Sequence, residues 1–344
     1  MPTIVDVAQR ARVAPSVVSR LLNADPTLRI RPETAARIHR AVSLLGYQPN
    51  SAGRALRSSK AAAIGLILPD VTNPVFSESL SGVETEAAKL GYVVLLGRTD
   101  DLKTQSGSYR RLIGERRIDG VIIQVSNLLK DSAMSKLIDK RVPTVFINSR
   151  IARVAGSVVI NDESAAHLAT RHLIELGHRG IGMLAGPPGL YTSHRRLIGF
   201  ERAMNEAGLE VRRSWIVDGS YDVDTGRLGM RRMLRLRPRP TAIFVTTISA
   251  AVGALAVARE AGITVPDDLS LIGLHDFWFA EHTSPPLTTV RTPQFALGIR
   301  AMRALAERIA GSDPVDLTIE DPPPEVVIRG STGPPRASRI RQSR

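Results

Sequence analysis

The chain has 344 residues, 43% of them apolar, enough for about two or three domains with sizeable cores. It has no cysteine, which excludes a disulfide framework, a cysteine-ligated metal and a thiol nucleophile. No apolar run is long enough to span a bilayer and the N-terminus carries no signal-peptide core, so a soluble, cytoplasmic protein is expected. The net charge of +13 is unevenly placed: residues 1–60 hold ten Lys/Arg against three acids, and the tail from Arg336 adds four arginines and no acid. A basic headpiece on a nearly neutral body points to a polyanion that the headpiece meets, more than to a solvated charged face.

The first elements are two short helices. Ile4, Val7, Ala8 and Ala11 share one helical face, and Val17, Val18, Leu21 and Leu22 share another. Pro15 suits the first turn of the second helix, where its missing N–H costs nothing. Two helices across a tight turn at the start of a basic chain fit a DNA-binding helix-turn-helix, although any amphipathic helical hairpin has this periodicity. A third helix opens at Pro32 and Glu33, carries Ala35, Ile38, Val42 and Leu45 as its apolar stripe, and stops at Gly46. Next comes QPNSAGRALRSSK, where Asn50 is placed to cap a short, basic, marginal helix running to about Arg57.

From Ala61 the pattern changes to alternating apolar strands and amphipathic helices. Strands are expected at AAAIGLILP, YVVLLGRT, GVIIQVS, TVFIN, SVVIND, IGMLAGP, WIVDGSY, AIFVTT and LSLIGLHD. Helices are expected at about 74–90, 103–117, 131–140, 163–176, 193–207, 224–235 and 248–261. Such alternation over two hundred residues predicts an α/β fold of doubly wound parallel sheets, long enough for two lobes. No glycine-rich phosphate loop follows any strand. DLTIEDPPPEVVIRG gives two more short strands, and the Pro/Arg-rich end reads as disordered.

Several segments together resemble the lactose-repressor (LacI/GalR) family of bacterial transcription regulators. They are TIVDVAQRA…VVSRLLN, PET, LGYQPN, RALR, IGLILPDVTNPVF, LIELGHRGIGMLAGP, RRLIGF, VPDDLSLIGLHDF, SPPLTTVRTP and VVIRGSTGPPR, in order from Thr3 to about Arg336. The resemblance implies a three-helix helix-turn-helix headpiece over 1–48, a hinge helix and linker over 49–60, and a two-lobed periplasmic-binding-protein-like core over 61–335. Residues 336–344 form a basic tail. Lobe 1 would comprise about 61–161 and 292–322 and lobe 2 about 162–291 and 323–335, the chain crossing near Asn161, Thr292 and Pro322–Pro324. It also implies a homodimeric repressor on double-stranded operator DNA, with a small-molecule effector between the lobes and no cofactor or metal.

By the same resemblance, Ser16 and Arg20 occupy base-reading positions, Ser19 and Asn23 phosphate-contact positions, and Asn50 and Arg54 positions near the DNA backbone. Leu56 matches the leucine that wedges into the minor groove, partly unstacking a base step. Where the family usually has Gly-Val-Ser in the turn, this chain has Arg12-Val13-Ala14. Ala14 has no capping oxygen, and Pro15, at an often base-reading position, has no donor. The matching effector positions are Pro69, Asn73, Phe76, Asn148, Arg196, Tyr221, Ile248 and His275. Family sugar binders commonly have acids at three of these, where this chain has Asn148, Ile248 and His275. With Arg196 retained and His275 able to take a proton in mild acid, the expected effector is anionic or partly apolar: a sugar phosphate, a sugar acid or another carboxylate. The alternative is an effector-independent regulator with a degenerate pocket.

Other readings fare worse. His167, His172 and His178 do not share a helix face and have no acid cluster, which argues against a metal site. Ser193, His194 and Asp276 stand in no G-x-S-x-G context, which argues against a hydrolase. A periplasmic solute-binding protein would need a signal peptide and no basic headpiece.

Overall fold

The computed structural model describes residues 2–22, 25–47, 61–70, 73–99, 117–124, 141–150, 155–219 and 221–336. It divides into two compact units, residues 1–61 and 62–344.

The first unit contains α1 (Ile4–Ala11), α2 (Pro15–Leu22) and α3 (Pro32–Leu45). Thr3 and Asp6 form a capping box at the start of α1: the Thr3 hydroxyl accepts from the Asp6 N–H, and the Asp6 carboxylate accepts from the Thr3 N–H at 2.7 Å. Arg12 ends α1 in the left-handed region, φ 52°, with its N–H on the carbonyls of Ala8 and Gln9. Ala14 offers α2 only its carbonyl, which accepts from Val17 and Val18. Gly46 closes α3 at φ 58°, a conformation open to glycine without strain. Val7, Ala8, Ala11, Val18, Ile38, Ala41 and Tyr47 are the buried core. Arg37 Nε donates to the Ala11 carbonyl at 2.7 Å, tying α3 to the end of α1.

The second unit holds two six-stranded sheets. One has the order β11-β5-β4-β3-β1-β2, with β1 at Ala63–Leu68, β2 at Val93–Arg98, β3 at Gly120–Gln124, β4 at Thr144–Ile147, β5 at Gly156–Ile160 and β11 at Asp316–Ile319. The other has the order β12-β10-β9-β8-β6-β7, with β6 at Ile181–Leu184, β7 at Ile216–Val217, β8 at Ala242–Val245, β9 at Ser270–Leu274, β10 at Thr288–Arg291 and β12 at Glu325–Val327. Every pairing is parallel except β10 with β12. Parallel strands covered on both faces need continuous apolar runs, and all six residues of β1 and all five of β9 are buried.

Among the described residues the helices of this unit are α4 (Ser77–Lys89), α5 (Asp162–Glu175), α6 (Tyr191–Glu206), α7 (Val223–Arg235), α8 (Ile248–Glu260) and α9 (Gln294–Ile309). They pack as pairs, α4 on α9, α5 on α6 and α7 on α8. The α4–α9 pair meets at Gly82 and Gly298, where a Cβ on Gly82 would lie 2.2 Å from the Phe295 carbonyl oxygen. The chain leaves the first sheet at Asn161, returns through Thr292 and Pro293 into α9, and crosses again through 320–324.

Two elements were not anticipated from the sequence, β10 and α9. The first is four residues, too short for a period, and its threonines are polar yet buried. The second is flanked by a proline and lacks an N-terminal side-chain cap. The hinge helix with Asn50, Arg54 and Leu56, and Asn23 of the headpiece, lie outside the described residues. So do the tail beyond Arg336 and nearly all of the expected helices at 103–117 and 131–140.

A left-handed arginine is strained by its Cβ, whereas glycine there is not, at some cost in chain entropy. Arg12→Gly should therefore stabilise the headpiece by about 0.5–1 kcal/mol. Amide hydrogen exchange on the full chain should show Val7 and Ala8 slowing by about 2- to 5-fold. Unchanged or faster exchange would mean that this turn stores no strain.

Candidate functional site

In an open parallel sheet, ligands meet the C-terminal ends of the strands. In the second sheet those ends carry a buried polar network. Arg196, on α6, is 4% exposed. Its Nε donates to Asp162 Oδ1 at 2.7 Å and its Nη1 to the Thr246 carbonyl, just past β8, at 2.7 Å. Its Nη2 lies 3.1 Å from His275 Nε2, one residue past β9. The guanidinium also sits over the Tyr221 ring, 5.5 Å from its centroid. The Tyr221 hydroxyl is 2.7 Å from Thr192 Oγ1 and accepts from Ser193 Oγ at 3.0 Å, both on the first turn of α6.

Arginine only donates, so His275 Nε2 accepts, which puts the ring proton on Nδ1. That nitrogen faces Thr292 Oγ1 at 2.7 Å, with the Gln294 amide 3.2 Å away. Burial, and then the Arg196 charge, push the His275 pKa well below the ordinary imidazole value. Burial also works against the Arg196 charge, but Asp162 and Tyr221 outweigh it and hold the guanidinium protonated. Burial pushes the Asp162 carboxyl up, and Arg196 opposes that shift. The 2.7 Å contact sets the carboxyl directly against the guanidinium, so the two charges offset each other.

This corrects the charge argument drawn from the sequence. His275 does not supply positive charge in mild acid. Arg196 is not a free cation, and neighbouring Arg195 pairs with Glu163, which also takes Arg202. The expectation of an anion then rests only on the acids replaced by Asn148, Ile248 and His275.

The first sheet contributes Pro69, half-buried at the end of β1, and Asn148 at the end of β4. Asn148 and His275 both adopt positive φ, 52° and 72°. Such strained residues at the ends of strands in both sheets are a functional signature when the surroundings enforce them. Asn148 Oδ1 and Asp162 Oδ2 are buried acceptors without a hydrogen-bond partner among the described residues.

A second contact joins the two lobes beside this network. Val75 and Phe76 follow β1 in the chain yet pack against the lobe 2 cluster that contains Ile248 and Phe277. Asn73 Oδ1 accepts from the Val75 N–H at 3.1 Å and from Ser249 Oγ at 3.4 Å. Arg196, Tyr221 and His275 thus form one connected group, and Asn73, Phe76 and Ile248 another. In the headpiece Pro15, Ser16 and Arg20 are exposed and Ser19 is half-buried.

Sequence reasoning missed Asp162, Thr246 and Thr292. Only Asp162 had a readable signal: it stands on the same helical stripe as Ala165, Ala166, Ala169 and Leu173, where an acid needs a buried partner. Among the described residues no cluster of His, Asp and Glu is arranged to hold a metal, and no helix is long and apolar enough to cross a membrane.

The sequence profile of "Bacterial regulatory proteins, lacI family" matches residues 3–50, and that of a periplasmic binding protein-like domain matches 170–332. The transcriptional repressor PurR of Vibrio parahaemolyticus is 33% identical over 334 residues, covering 96% of this chain and 98% of PurR. The chain belongs to the LacI family. Within that family it is a DNA-binding transcriptional repressor. A LacI-family regulator from Mycobacterium smegmatis is similar in structure, at TM-score 0.74 and 36% identity, covering 79% of this chain and all but 1% of its own (99%). The regulator CelR, solved as its cellobiose complex, matches at TM-score 0.70 and 28% identity, covering 96% of this chain and 100% of CelR.

A histidine held neutral by burial costs stability in acid. The unfolded chain takes up protons near pH 6.5 and the folded chain does not, so stability is full above that value and falls as pH drops below it. Urea midpoints of the wild type should fall between pH 7.5 and 5.5. The His275 share should be up to about 1.4 kcal/mol per pH unit. His275→Gln should make the decline shallower, and equal slopes in the two proteins would contradict a neutral His275.

Proposed function

We propose that this LacI-family repressor acts as a homodimer in the cytoplasm, each headpiece reading half of a pseudo-palindromic operator. Its affinity is set by a neutral, hydrogen-bonding small molecule held between the lobes. The DNA half of this reading is supported by α2. Ser16 and Arg20, one helical turn apart, are exposed beside exposed Pro15, while Val18 is buried in the headpiece core. A recognition helix in a major groove needs that presentation. Ser19 and Asn23 as phosphate contacts, Asn50 and Arg54 near the backbone, and Leu56 as the minor-groove wedge follow from the family resemblance.

The effector half is carried by the charge balance at Arg196. Three of its five N–H groups are committed to Asp162, Thr246 and His275, which leaves two for a ligand hydroxyl or carbonyl. With the charge cancelled by Asp162, the site selects by hydrogen bonding rather than by net attraction. Asn148 Oδ1 and Asp162 Oδ2 call for donors from the ligand. Tyr221, Phe76 and Pro69, each partly exposed, supply apolar surface, as the faces of a sugar ring or another polar ring require, while Ile248 is buried behind Phe76 and Asn73 holds the seam between lobes. That CelR is a cellobiose-binding relative agrees with this chemistry.

A thermal-unfolding screen of the full chain tests it. One set of probes is neutral, cellobiose with other disaccharides and monosaccharides; the other is anionic, sugar phosphates and sugar acids. A neutral compound at about 100 times its Kd should add about 2.7 kcal/mol of stability, with no comparable anionic hit. A hit confined to the anions would overturn neutrality. Silence in both sets would favour an effector-independent regulator.

A further inference from the structure

Arg20 lies in the last turn of α2, its side chain 45% exposed. Two residues beyond the helix hold it. Its Nε donates to Asp25 Oδ2 at 2.7 Å, and its Nη2 donates to Thr27 Oγ1 at 2.9 Å. Asp25 is itself fixed: its Oδ1 accepts from the Thr27 N–H at 2.8 Å and from the Thr27 hydroxyl at 2.7 Å. Its N–H donates to the Arg20 carbonyl, and its carbonyl accepts from the Leu28 N–H, both at 3.0 Å. Pro26, between the two, presets its own backbone. Arg20, Asp25 and Thr27 therefore close a ring.

The ring decides which face of the guanidinium remains. Nε and the adjacent Nη2 proton form one bidentate edge, and Asp25 and Thr27 occupy it. Among the described residues the end-on edge, made by Nη1 and the other Nη2 proton, is the bidentate edge left without a partner. Two parallel N–H groups match guanine O6 and N7 in the major groove. We propose that Asp25 and Thr27 are specificity-determining positioning residues that aim the end-on edge of Arg20 at a guanine in each half-site. This rests on the reading of Arg20 as a base contact. Thr27 first, and Arg20 with it, hold the Asp25 carboxyl down to about 2, so the brace stays charged at any pH at which DNA is bound. The brace trades affinity for discrimination. An acid beside the recognition helix repels phosphate, yet the arginine it holds has fewer ways to satisfy a wrong base.

The test is selection of the full-length chain on a random-sequence duplex library, for the wild type, Arg20→Ala, Asp25→Ala and Thr27→Ala. The wild type should enrich guanine at one position per half-site. Asp25→Ala should cut that preference by about 5-fold or more, as loss of a bidentate contact would, and Arg20→Ala should abolish it. Thr27→Ala should fall between the wild type and Asp25→Ala. Preferences at the other positions should survive, which also certifies that the headpiece folds. Binding of Asp25→Ala to non-cognate duplex should be equal or tighter. If Asp25→Ala keeps the guanine preference that Arg20→Ala loses, the brace is overturned and the Arg20 reading stands. If it binds the selected sequence more tightly with the preference intact, Asp25 parks Arg20 instead, and the proposal also fails. A preference intact in Arg20→Ala overturns both readings.

Discussion

The core depends on one buried ion pair, Arg196 with Asp162. Taking both charges out of water is costly, and the cost is recovered only when the geometry is good and the remaining donors are used. Here Nη1 reaches a main-chain carbonyl and Nη2 reaches a neutral imidazole. The pair joins α5 to α6, and its two further bonds fasten both helices to the loops after β8 and β9. Removing either partner would leave a charge inside the lobe, a loss of about 3–5 kcal/mol.

The same pair reaches the connection between the lobes. His275 accepts from Arg196 and turns its other nitrogen to Thr292, where the chain passes into α9, and Gln294 of α9 lies beside that nitrogen. The helix α9 packs on α4 and on the first sheet. A shift of Arg196 is thus felt, through one imidazole, at a crossing that belongs to neither lobe alone. Beside it, Val75 and Phe76 seat an apolar finger of the first lobe in the core of the second. Interfaces of this packed kind have few intermediate positions.

Most of the fold was legible because its central strands are buried on both faces and its helices are amphipathic, so the period changes sharply at each boundary. The alternation failed at 288–309, where β10 buries threonines and α9 follows without a capping side chain. The site was legible by halves. Arg196 stands out in its motif, and its connection to Tyr221 and His275 was foreseeable from their matching positions. Its charge state was not, because the neutralising partner is 34 residues away on another helix. His275 misled for a related reason. Its ordinary pKa makes it a natural switch, but burial and a neighbouring guanidinium both oppose the proton, and neither can be read from one residue type.

The chain uses the same chemistry twice with opposite results. Arg196 and Arg20 each give Nε to an aspartate at 2.7 Å. In the core water is excluded and the two charges offset each other, so what remains is a set of directed N–H groups. At the headpiece surface water screens Asp25, and the +7 balance of residues 1–60 still faces the polyanion. There the aspartate constrains the shape of the arginine without removing the attraction. Burial alone decides whether an Arg–Asp pair discards charge or orients it. Nearly the same pair of side chains can for that reason serve a buried site without a net field and a surface that meets a nucleic acid.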